Sequence, residues 1–175
     1  MTDHAEDYEF FWSGPFSQWK RARFQIDGVE FNTAEQAMMY GKAMLFGDTD
    51  IAGQILATSD ARKQKALGRK VQGFDAAKWD AHKEDIVREA NRAKFGQNEG
   101  LRRKLFQTGR KTLIEAAPND AIWGIGIDEA TARATPPSDW PGQNLLGRIL
   151  TEVREELRAQ YPDEAAGVMT DQAAG

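Results

Sequence analysis

Apolar and polar positions follow one another along the chain in patterns that predict many helices and a few short strands. Residues 23–31, RFQIDGVEF, place an Asp-Gly pair between two apolar runs, which is the strongest short signal for a β-hairpin. Residues 75–95 show apolar side chains at helical spacing after a capping Asp75, and Gly96 is expected to end this helix. The predicted class is α+β, a predominantly helical single domain with a small β-sheet.

Further helices are predicted wherever apolar residues recur every three to four positions. They cover residues 33–45, 48–58, 59–70, 98–108 and 144–160. Thr33 with Gln36 three residues later forms a capping-box start for the first of these. Ser59 is the expected N-cap of the helix over 59–70, and Gly68 is its expected C′ glycine.

The pattern changes between the helices of the last third of the chain. Residues 112–128 contain two short apolar runs separated by Pro-Asn-Asp, which predicts strand, turn and strand. Residues 130–144 are rich in proline and glycine and predict a loop. Asn144 then stands where the N-cap of the last helix is expected.

Composition narrows the class of protein. The chain has 175 residues, of which 41% are hydrophobic and 29% charged, which suits one globular domain. It has no cysteine and two histidines, which excludes disulfides, thiol catalysis and multi-histidine metal centres. The sequence contains no run of about 18 apolar residues, which a membrane helix would need. The acidic start MTDHAEDYEF differs from a secretory signal. We expect a cytoplasmic protein without a metal or cofactor.

Charge is distributed unevenly along the chain. The formal net charge is −4, but residues 1–9 hold four acidic side chains and residues 163–175 hold three, with no lysine or arginine in either segment. Without those seven, residues 10–162 contain 23 basic and 20 acidic residues. We expect an ordered domain over 9–160 and disordered acidic ends over 1–8 and 161–175. A mildly basic domain attracts a phosphorylated small molecule and is a weak indicator of a nucleic-acid groove.

Glu35 and Lys42 are the first candidates for chemistry. On the helix predicted from residue 33 they stand two turns apart, about 10 Å along the axis and roughly 20° around it. A helix N-terminus favours an ionised carboxylate, which can act as a base or stabilise a developing positive charge. From this stretch alone, an exposed Glu35–Lys42 pair without a function is as well supported as a functional pair.

A basic segment follows. Residues 61–71 contain no acid and five basic side chains, which are Arg62, Lys63, Lys65, Arg69 and Lys70. A solvated helix face is the default interpretation of such a segment. Gly68 and Arg69 at a helix end also suit phosphate, because a guanidinium binds phosphate oxygens in pairs.

The segment NDAIWGIG combines a carboxylate, an aromatic plane and two glycines. Trp123 offers a face on which a heterocycle can stack, and Gly124 and Gly126 would let a ligand approach the backbone. Asp120 and the preceding Glu115 supply carboxylates. Gly-x-Gly alone is weak support for a dinucleotide site, and a tight turn around a core tryptophan is about as well supported.

The segment WPGQNLLGR leads from a loop into the last predicted helix. Asn144 as a simple N-cap is the plain interpretation, and Arg148 in the first turn makes an anion site the alternative. Together the four groups fit a phosphorylated sugar joined to a flat base. They do not fit a metalloenzyme, a thiol enzyme or a Ser-His-Asp hydrolase.

Five blocks in order carry a resemblance to a known family. They are FNTAEQAMMYGKA, KQKALGRKV, W…IVREANRAKFGQN, LFQTGRKTLIEAAPNDAIWGIGI and WPGQNLLGRILTEVREEL. From about Phe11 to Leu157 the chain resembles the YbiA-like branch of the NADAR superfamily. The resemblance implies a helix-rich α+β fold and an N-glycosidase that splits early riboflavin-pathway intermediates between an aminopyrimidine and ribose 5-phosphate. Other branches of the superfamily remove ADP-ribose from guanine in DNA.

The resemblance also implies roles for individual residues. Glu35 and Asp120 are expected to act as catalytic carboxylates, with Glu115 in reserve. Matching the blocks gives these substrate-binding residues: Lys42, Lys65, Gly68, Arg69, Trp79, Trp123, Gly124, Gly126, Asn144 and Arg148. Arg69, with Lys65 or Arg148, would hold the 5-phosphate, and Trp123 would stack on the pyrimidine. Thr151 departs from the block, where an apolar residue is common.

Two other functions stay open at this level. One is hydrolysis of ADP-ribosylated guanine, the only case in which a nucleic acid would be a partner. The other is a binding module for NAD or ADP-ribose without turnover. The main prediction has a small phosphoribosylamino-pyrimidine as its partner and involves no membrane.

Overall fold

The computed structural model describes the backbone of residues 6–174 and the side chains of residues 6–168. Within this range there are four strands: β1 Tyr8–Phe11, β2 Phe24–Ile26, β3 Val29–Phe31 and β4 Thr112–Glu115. There are eight α-helices: α1 Ala34–Leu45, α2 Thr49–Ala57, α3 Ala61–Gly68, α4 Ala76–Gly96, α5 Glu99–Gln107, α6 Glu129–Arg133, α7 Leu145–Gln160 and α8 Pro162–Ala174. The predicted helix-rich α+β class is confirmed.

The chain divides into two compact units. One is Gln18–Asn98, and the other joins the residues up to Ser17 with those from Glu99 onward. Each unit has its own two-stranded sheet and its own cluster of buried apolar side chains. Among the described residues, no helix combines the length and the apolar character that crossing a bilayer requires. Of the ends expected to be disordered, residues 1–5 lie outside the described residues.

The predicted hairpin and the longest predicted helix are both confirmed. Asp27 and Gly28 have φ angles of 50° and 81°, so the two-residue turn has positive φ at both central positions, as a type I′ turn requires. Helix α4 begins after Asp75, whose carboxylate accepts hydrogen bonds from two backbone N–H groups of the first turn. In both elements a local signal of two or three residues decides the structure.

The N-terminal turn of α1 is held by buried polar side chains. Thr33 accepts a hydrogen bond from the backbone N–H of Gln36 at 2.9 Å, as predicted. The Gln36 side chain accepts from the N–H of Asn32, one residue before the group that a capping box would use. Thr33 also donates to Gln64 of α3 at 2.7 Å, and the Gln36 amide donates to the Ile55 carbonyl of α2 at 3.0 Å. This network links three helices of the unit at the start of α1.

Helix α3 ends at Gly68 as predicted, but both predicted capping assignments are wrong. Asp60, and not Ser59, caps the helix by accepting from the backbone N–H groups of residues 62 and 63. Gly68 is the last helical residue and not a C′ glycine. A Cβ added there would lie 1.9 Å from Sδ of Met39, so glycine is needed for the close packing of α3 on α1.

Asn144 pairs with a strand and does not cap α7. Its φ of 54° is left-handed, and it makes no side-chain cap. Its Oδ1 accepts from the N–H of Glu115 at 2.9 Å, and its Nδ2 donates to the carbonyl of Leu113 at 3.0 Å. Thr151 accepts from the N–H of Leu113 at 3.0 Å. β4 pairs with β1 in parallel, and these two side chains satisfy other backbone groups of β4.

The second strand predicted within 112–128 does not form. Asp120 caps the N–H groups of Ile122 and Trp123 in a tight turn, and the backbone N–H groups of residues 142–146 donate to the carbonyls of residues 121–125. The predicted loop over 130–144 is only partly irregular, because it contains most of α6 and a 3₁₀ turn over Pro137–Asp139. These side-chain caps and long-range bonds replace the strand that the apolar pattern suggested.

The expectation of a disordered tail over 161–175 is also wrong, because α8 covers Pro162–Ala174. Arg102 of α5 makes two hydrogen bonds to Glu164, of 2.7 and 2.8 Å, and its guanidinium lies 3.9 Å from the ring centre of Tyr161. Arg102 holds the pKa of the Glu164 carboxyl below its ordinary value. Ala165 and Val168 are buried. An acidic composition does not reveal that such partners exist elsewhere in the chain.

Replacing Asn144 with alanine should destabilise the protein by about 2–4 kcal/mol, because two backbone groups of β4 lose their partners. The free energy of unfolding from a urea titration measures this loss. Asn119→Ala is the matched control, since Asn119 is an exposed loop residue. A change below about 0.5 kcal/mol in Asn144→Ala would show that β4 does not depend on this amide.

Candidate functional site

Glu35 is a buried carboxylate in the first turn of α1. Only 4% of the residue is exposed. Its backbone N–H donates to the carbonyl of Gln18 at 3.0 Å, which fixes the start of the helix. A carboxylate in the first turn faces the positive end of the helix dipole, which favours its ionised form. Glu35 is therefore not the exposed side chain that the alternative assumed, and its role in the site stays a prediction.

Lys42 lies two turns further along α1 and is half-buried. Its Nζ is 4.8 Å from the ring centre of Phe74 and 5.6 Å from that of Trp79. Burial lowers the pKa of Lys42, the positive charge of Arg69 lowers it further, and the charge of Glu35 opposes both. Glu35, Lys42 and Arg69 thus belong to one electrostatic cluster in the Gln18–Asn98 unit, as their place in the blocks implied.

The other predicted binding residues of this unit differ in character. Trp79 is half-buried on α4 and provides one of the two rings beside Lys42. Lys65 is exposed on α3, and Arg69 follows the last helical residue with its side chain exposed. Gly68, predicted to contact substrate, is buried against Met39, so the helix packing accounts for it.

Lys94 is a functional candidate that the sequence analysis did not select. It lies on α4, and none of its surface is exposed. Burial, with a smaller effect of the charge on Lys20, lowers the pKa of Lys94 to about 7. Asn91, one turn earlier, is also fully buried and donates to the side chain of Gln18 at 2.9 Å. Since the Gln18 carbonyl also accepts from the Glu35 N–H, Gln18 connects Asn91 to the N-terminus of α1.

A sequence signal for this polar group does exist. Val87, Ala90, Asn91 and Lys94 share one face of α4 at helical spacing, and all four are buried. An amide and a lysine on the apolar face of an amphipathic helix are uncommon, because burying either one costs free energy unless it is paired. A lysine with a pKa near 7 can give or take a proton at neutral pH.

A second group of predicted residues forms a compact turn in the other unit. Oδ1 of Asp120 accepts from the N–H groups of Ile122 and Trp123, both at 2.9 Å. The Glu115 carbonyl accepts from the N–H of Ile125 at 2.9 Å. Asp120, Trp123 and the Glu115 residue are all half-buried. These backbone contacts place Glu115, Asp120 and Trp123 in one turn of the chain.

The glycines of this block have structural roles. A Cβ on Gly124 would lie 2.8 Å from the Glu115 carbonyl and 3.0 Å from that of Asp120. Gly126 has a φ of 79°, which favours glycine. Packing and turn geometry thus account for both residues without a ligand. Arg148, in the first turn of α7, is exposed.

Comparison with known proteins decides the family. A model of the NADAR domain matches residues 10–158. The chain belongs to the NADAR family. The match extends over both compact units, so the resemblance stated from the sequence blocks is confirmed.

Several NADAR relatives carry enzyme names. N-glycosidase R617 of Acanthamoeba polyphaga mimivirus is 48% identical over 146 residues, which cover 81% of this chain and 86% of that protein. N-glycosidase YbiA of Escherichia coli is 32% identical over 153 residues, covering 87% and 84%. Its NMR structure matches with a TM-score of 0.72 at 30% identity, covering 91% and 88%. A riboflavin biosynthesis protein of Vibrio vulnificus is 34% identical over 123 residues, which cover 70% of this chain and 30% of that protein. This chain thus belongs with proteins named as hydrolases of N-glycosyl bonds.

Lys94→Met should remove a pH dependence of stability. The native protein loses the Lys94 proton near pH 7, whereas an unfolded lysine keeps its proton to about pH 10.5. Between these values the unfolded chain binds more protons, so Lys94 makes the free energy of unfolding rise with pH, by up to about 1.4 kcal/mol per pH unit. Urea titrations of both proteins from pH 6 to 10 measure the difference. Equal pH slopes in the two proteins would contradict the lowered pKa of Lys94.

Proposed function

We propose that this protein is an N-glycosidase that hydrolyses the C–N bond between ribose 5-phosphate and an aminopyrimidine in early riboflavin intermediates. The names of its relatives support the bond type, and the Vibrio vulnificus relative supports the pathway. The observation that carries the proposal is a buried carboxylate, Glu35, in one electrostatic cluster with the cations of Lys42 and Arg69. This combination suits a sugar that develops positive charge and carries a phosphate.

The proposed chemistry begins with loss of the base from the sugar. Cleavage of an N-ribosyl bond passes through an oxocarbenium-like sugar, which a nearby carboxylate stabilises or which water attacks after the carboxylate removes a proton. Glu35 is our first choice for this role, because it is a buried carboxylate in the first turn of α1, where the helix dipole favours a negative charge. Its burial removes competing water and strengthens its interaction with a cation.

A second group must help the pyrimidine amine to leave. Lys94, with a pKa of about 7, is able to donate a proton at neutral pH. Asp120 is the carboxylate proposed from the family blocks, with Glu115 in reserve, and Trp123 is proposed to stack on the pyrimidine. Oδ1 of Asp120 already accepts two backbone hydrogen bonds, so a structural role has to be separated from a chemical one.

The phosphate requires cations that are available to it. Arg69 is exposed, and the proposal pairs it with Lys65 or Arg148, both of which are also exposed. A guanidinium can hold two phosphate oxygens at once, whereas a lysine contributes a point charge. The same cations would also attract the diphosphate of ADP-ribose, so the products must decide the substrate.

Glu35→Gln should lower the turnover of a phosphoribosylamino-pyrimidine by about 10²–10⁴-fold, because the amide cannot act as a base or neutralise the cation. Release of ribose 5-phosphate over time measures the rate. Asp50→Asn is the matched control, since Asp50 is an exposed carboxylate in the first turn of α2. Near-native turnover in Glu35→Gln would remove Glu35 from the mechanism.

The products of the wild-type protein distinguish the three candidate functions. Ribose 5-phosphate and free base from the aminopyrimidine substrate support the proposal. Release of ADP-ribose from modified guanine, without action on the pyrimidine, would replace it with the DNA-repair function. Binding of ADP-ribose with neither product would indicate a module without turnover.

Asp120→Asn separates the two roles of Asp120. Asparagine keeps Oδ1 as an acceptor for the two N–H groups but removes the charge, so stability should change little while the rate falls by about 10²-fold or more if the carboxylate acts in catalysis. Asp128→Asn is the control, because Asp128 likewise caps a backbone N–H, at the start of α6. Full activity in Asp120→Asn would leave Asp120 with a purely structural role.

A further inference from the structure

The side chain of Lys42 is held by aromatic rings and by no oxygen atom of the described residues. Its Nζ lies over Phe74 and Trp79, at 4.8 and 5.6 Å from the ring centres. Within the described part of the chain, no carboxylate comes within 4.0 Å of this ammonium, and no oxygen accepts a hydrogen bond from it. Lys42 is half-buried, so solvent reaches the ammonium only in part.

Ring faces and oxygen atoms hold a lysine in different ways. A ring attracts the cation through its quadrupole and fixes where the ammonium lies. It does not replace the strong N–H···O bonds that an ammonium makes in water, of which there can be three. A half-buried ammonium held in this way has donors free for a ligand that offers several oxygen atoms.

The charges around Lys42 also favour the binding of an anionic ligand. Arg69 is close enough for its charge to disfavour the protonated form of Lys42, and Glu35 only partly offsets this. Among the described residues, none of the five basic side chains in 62–70 makes an ion pair. Cations elsewhere in the same unit do make them, such as Lys83 with Asp80 and Arg88 with Asp85. An anion beside Lys42 and Arg69 would relieve their mutual repulsion.

We propose that Lys42, in place of Lys65 or Arg148, joins Arg69 in the subsite for the phosphate monoester of the substrate, and that Phe74 and Trp79 position Lys42 within it. The identification of the ligand as a sugar phosphate rests on the proposed function, whereas the subsite itself rests on the rings and the unneutralised charges. Trp79 thereby acts through Lys42. Phe74 is a new member of the site, from a segment outside the blocks that gave the family resemblance.

The position of Phe74 suits this role. It lies between α3 and α4, 49% of the residue is exposed, and the ring of Phe46 packs edge-on against it at 5.4 Å. Lys78 lies over the ring of Phe46, so a further cation borders the same aromatic cluster. Leaving an apolar ring of this size in contact with water costs free energy. The fold does not avoid that cost by burying Phe74. A phosphate with two negative charges and three terminal oxygens can bond to Lys42 and Arg69 together.

Binding of ribose 5-phosphate to the intact protein tests the subsite without requiring turnover. Titration calorimetry gives the affinity, with ribose and inorganic phosphate as separate arms. Lys42→Met should weaken binding of ribose 5-phosphate by about 10- to 100-fold, which is the usual range for a hydrogen bond to a charged group. Lys63→Gln is the control for net charge, since Lys63 is an exposed, unpaired cation of α3.

Two substitutions test whether the aromatic ring of Phe74 positions Lys42. Phe74→Tyr keeps an aromatic face beside Lys42 and should bind ribose 5-phosphate within about threefold of the wild type, whereas Phe74→Leu should lose about tenfold. In NMR spectra of the wild type, the side-chain signals of Lys42 should move when ribose 5-phosphate or phosphate is added, and ribose should leave them unchanged.

Unchanged affinity in Lys42→Met, or equal losses in Lys42→Met and Lys63→Gln, would overturn the subsite. Equal binding by Phe74→Leu and the wild type would remove the positioning role. Hydrolysis of the aminopyrimidine substrate by the wild type would still stand in either case, so failure of the subsite and failure of the proposed function remain distinguishable.

Discussion

The burial of the first turn of α1 is the constraint on which the Gln18–Asn98 unit depends. A helix start exposes N–H groups that need partners, and here water cannot supply them because the turn lies inside the protein. Thr33, Gln36 and Gln64 form hydrogen bonds in its place and connect α1 to α2 and α3. The same turn carries Glu35. The position of the carboxylate is therefore fixed by groups that the fold itself requires, which is how a rigid scaffold orients a reacting group.

The sequence predicted those elements that short local signals determine. The Asp-Gly turn, the caps at Thr33 and Asp75 and the apolar spacing of α4 were each sufficient for a correct element. The errors concern positions where a distant segment decides. Gly68 is needed because Met39 of another helix lies against it, and Asn144 bonds to β4 instead of capping its own helix. No window of a few residues contains both partners, so the local pattern suggested the commoner alternative.

In the candidate site, too, some residues have a local sequence signal and others depend on distant segments. The spacing of Glu35 and Lys42 along one helix was available from the sequence, and the structure adds that Glu35 is buried and that Lys42 faces two rings. Lys94 was overlooked because a lysine is normally exposed, although its place on the apolar face of α4 was visible from the helical spacing. Phe74 had no local signal, since its importance comes from Lys42, which lies 32 positions earlier. Apolar periodicity identifies the core, and polar residues that break it identify candidates for function.

The buried and half-buried cations differ in how their charge is compensated. Arg102 has two hydrogen bonds to Glu164 and an aromatic partner, so its burial is compensated, and it holds α8 in place. Lys42 and Lys94 differ from Arg102, because burial and the charge of a neighbouring cation both lower their pKa values. The lowered pKa values of Lys42 and Lys94 mean that their charged forms cost free energy in the native state at neutral pH. The proposed phosphate subsite would offset this cost at Lys42, because a bound anion favours the charged form of a nearby ammonium.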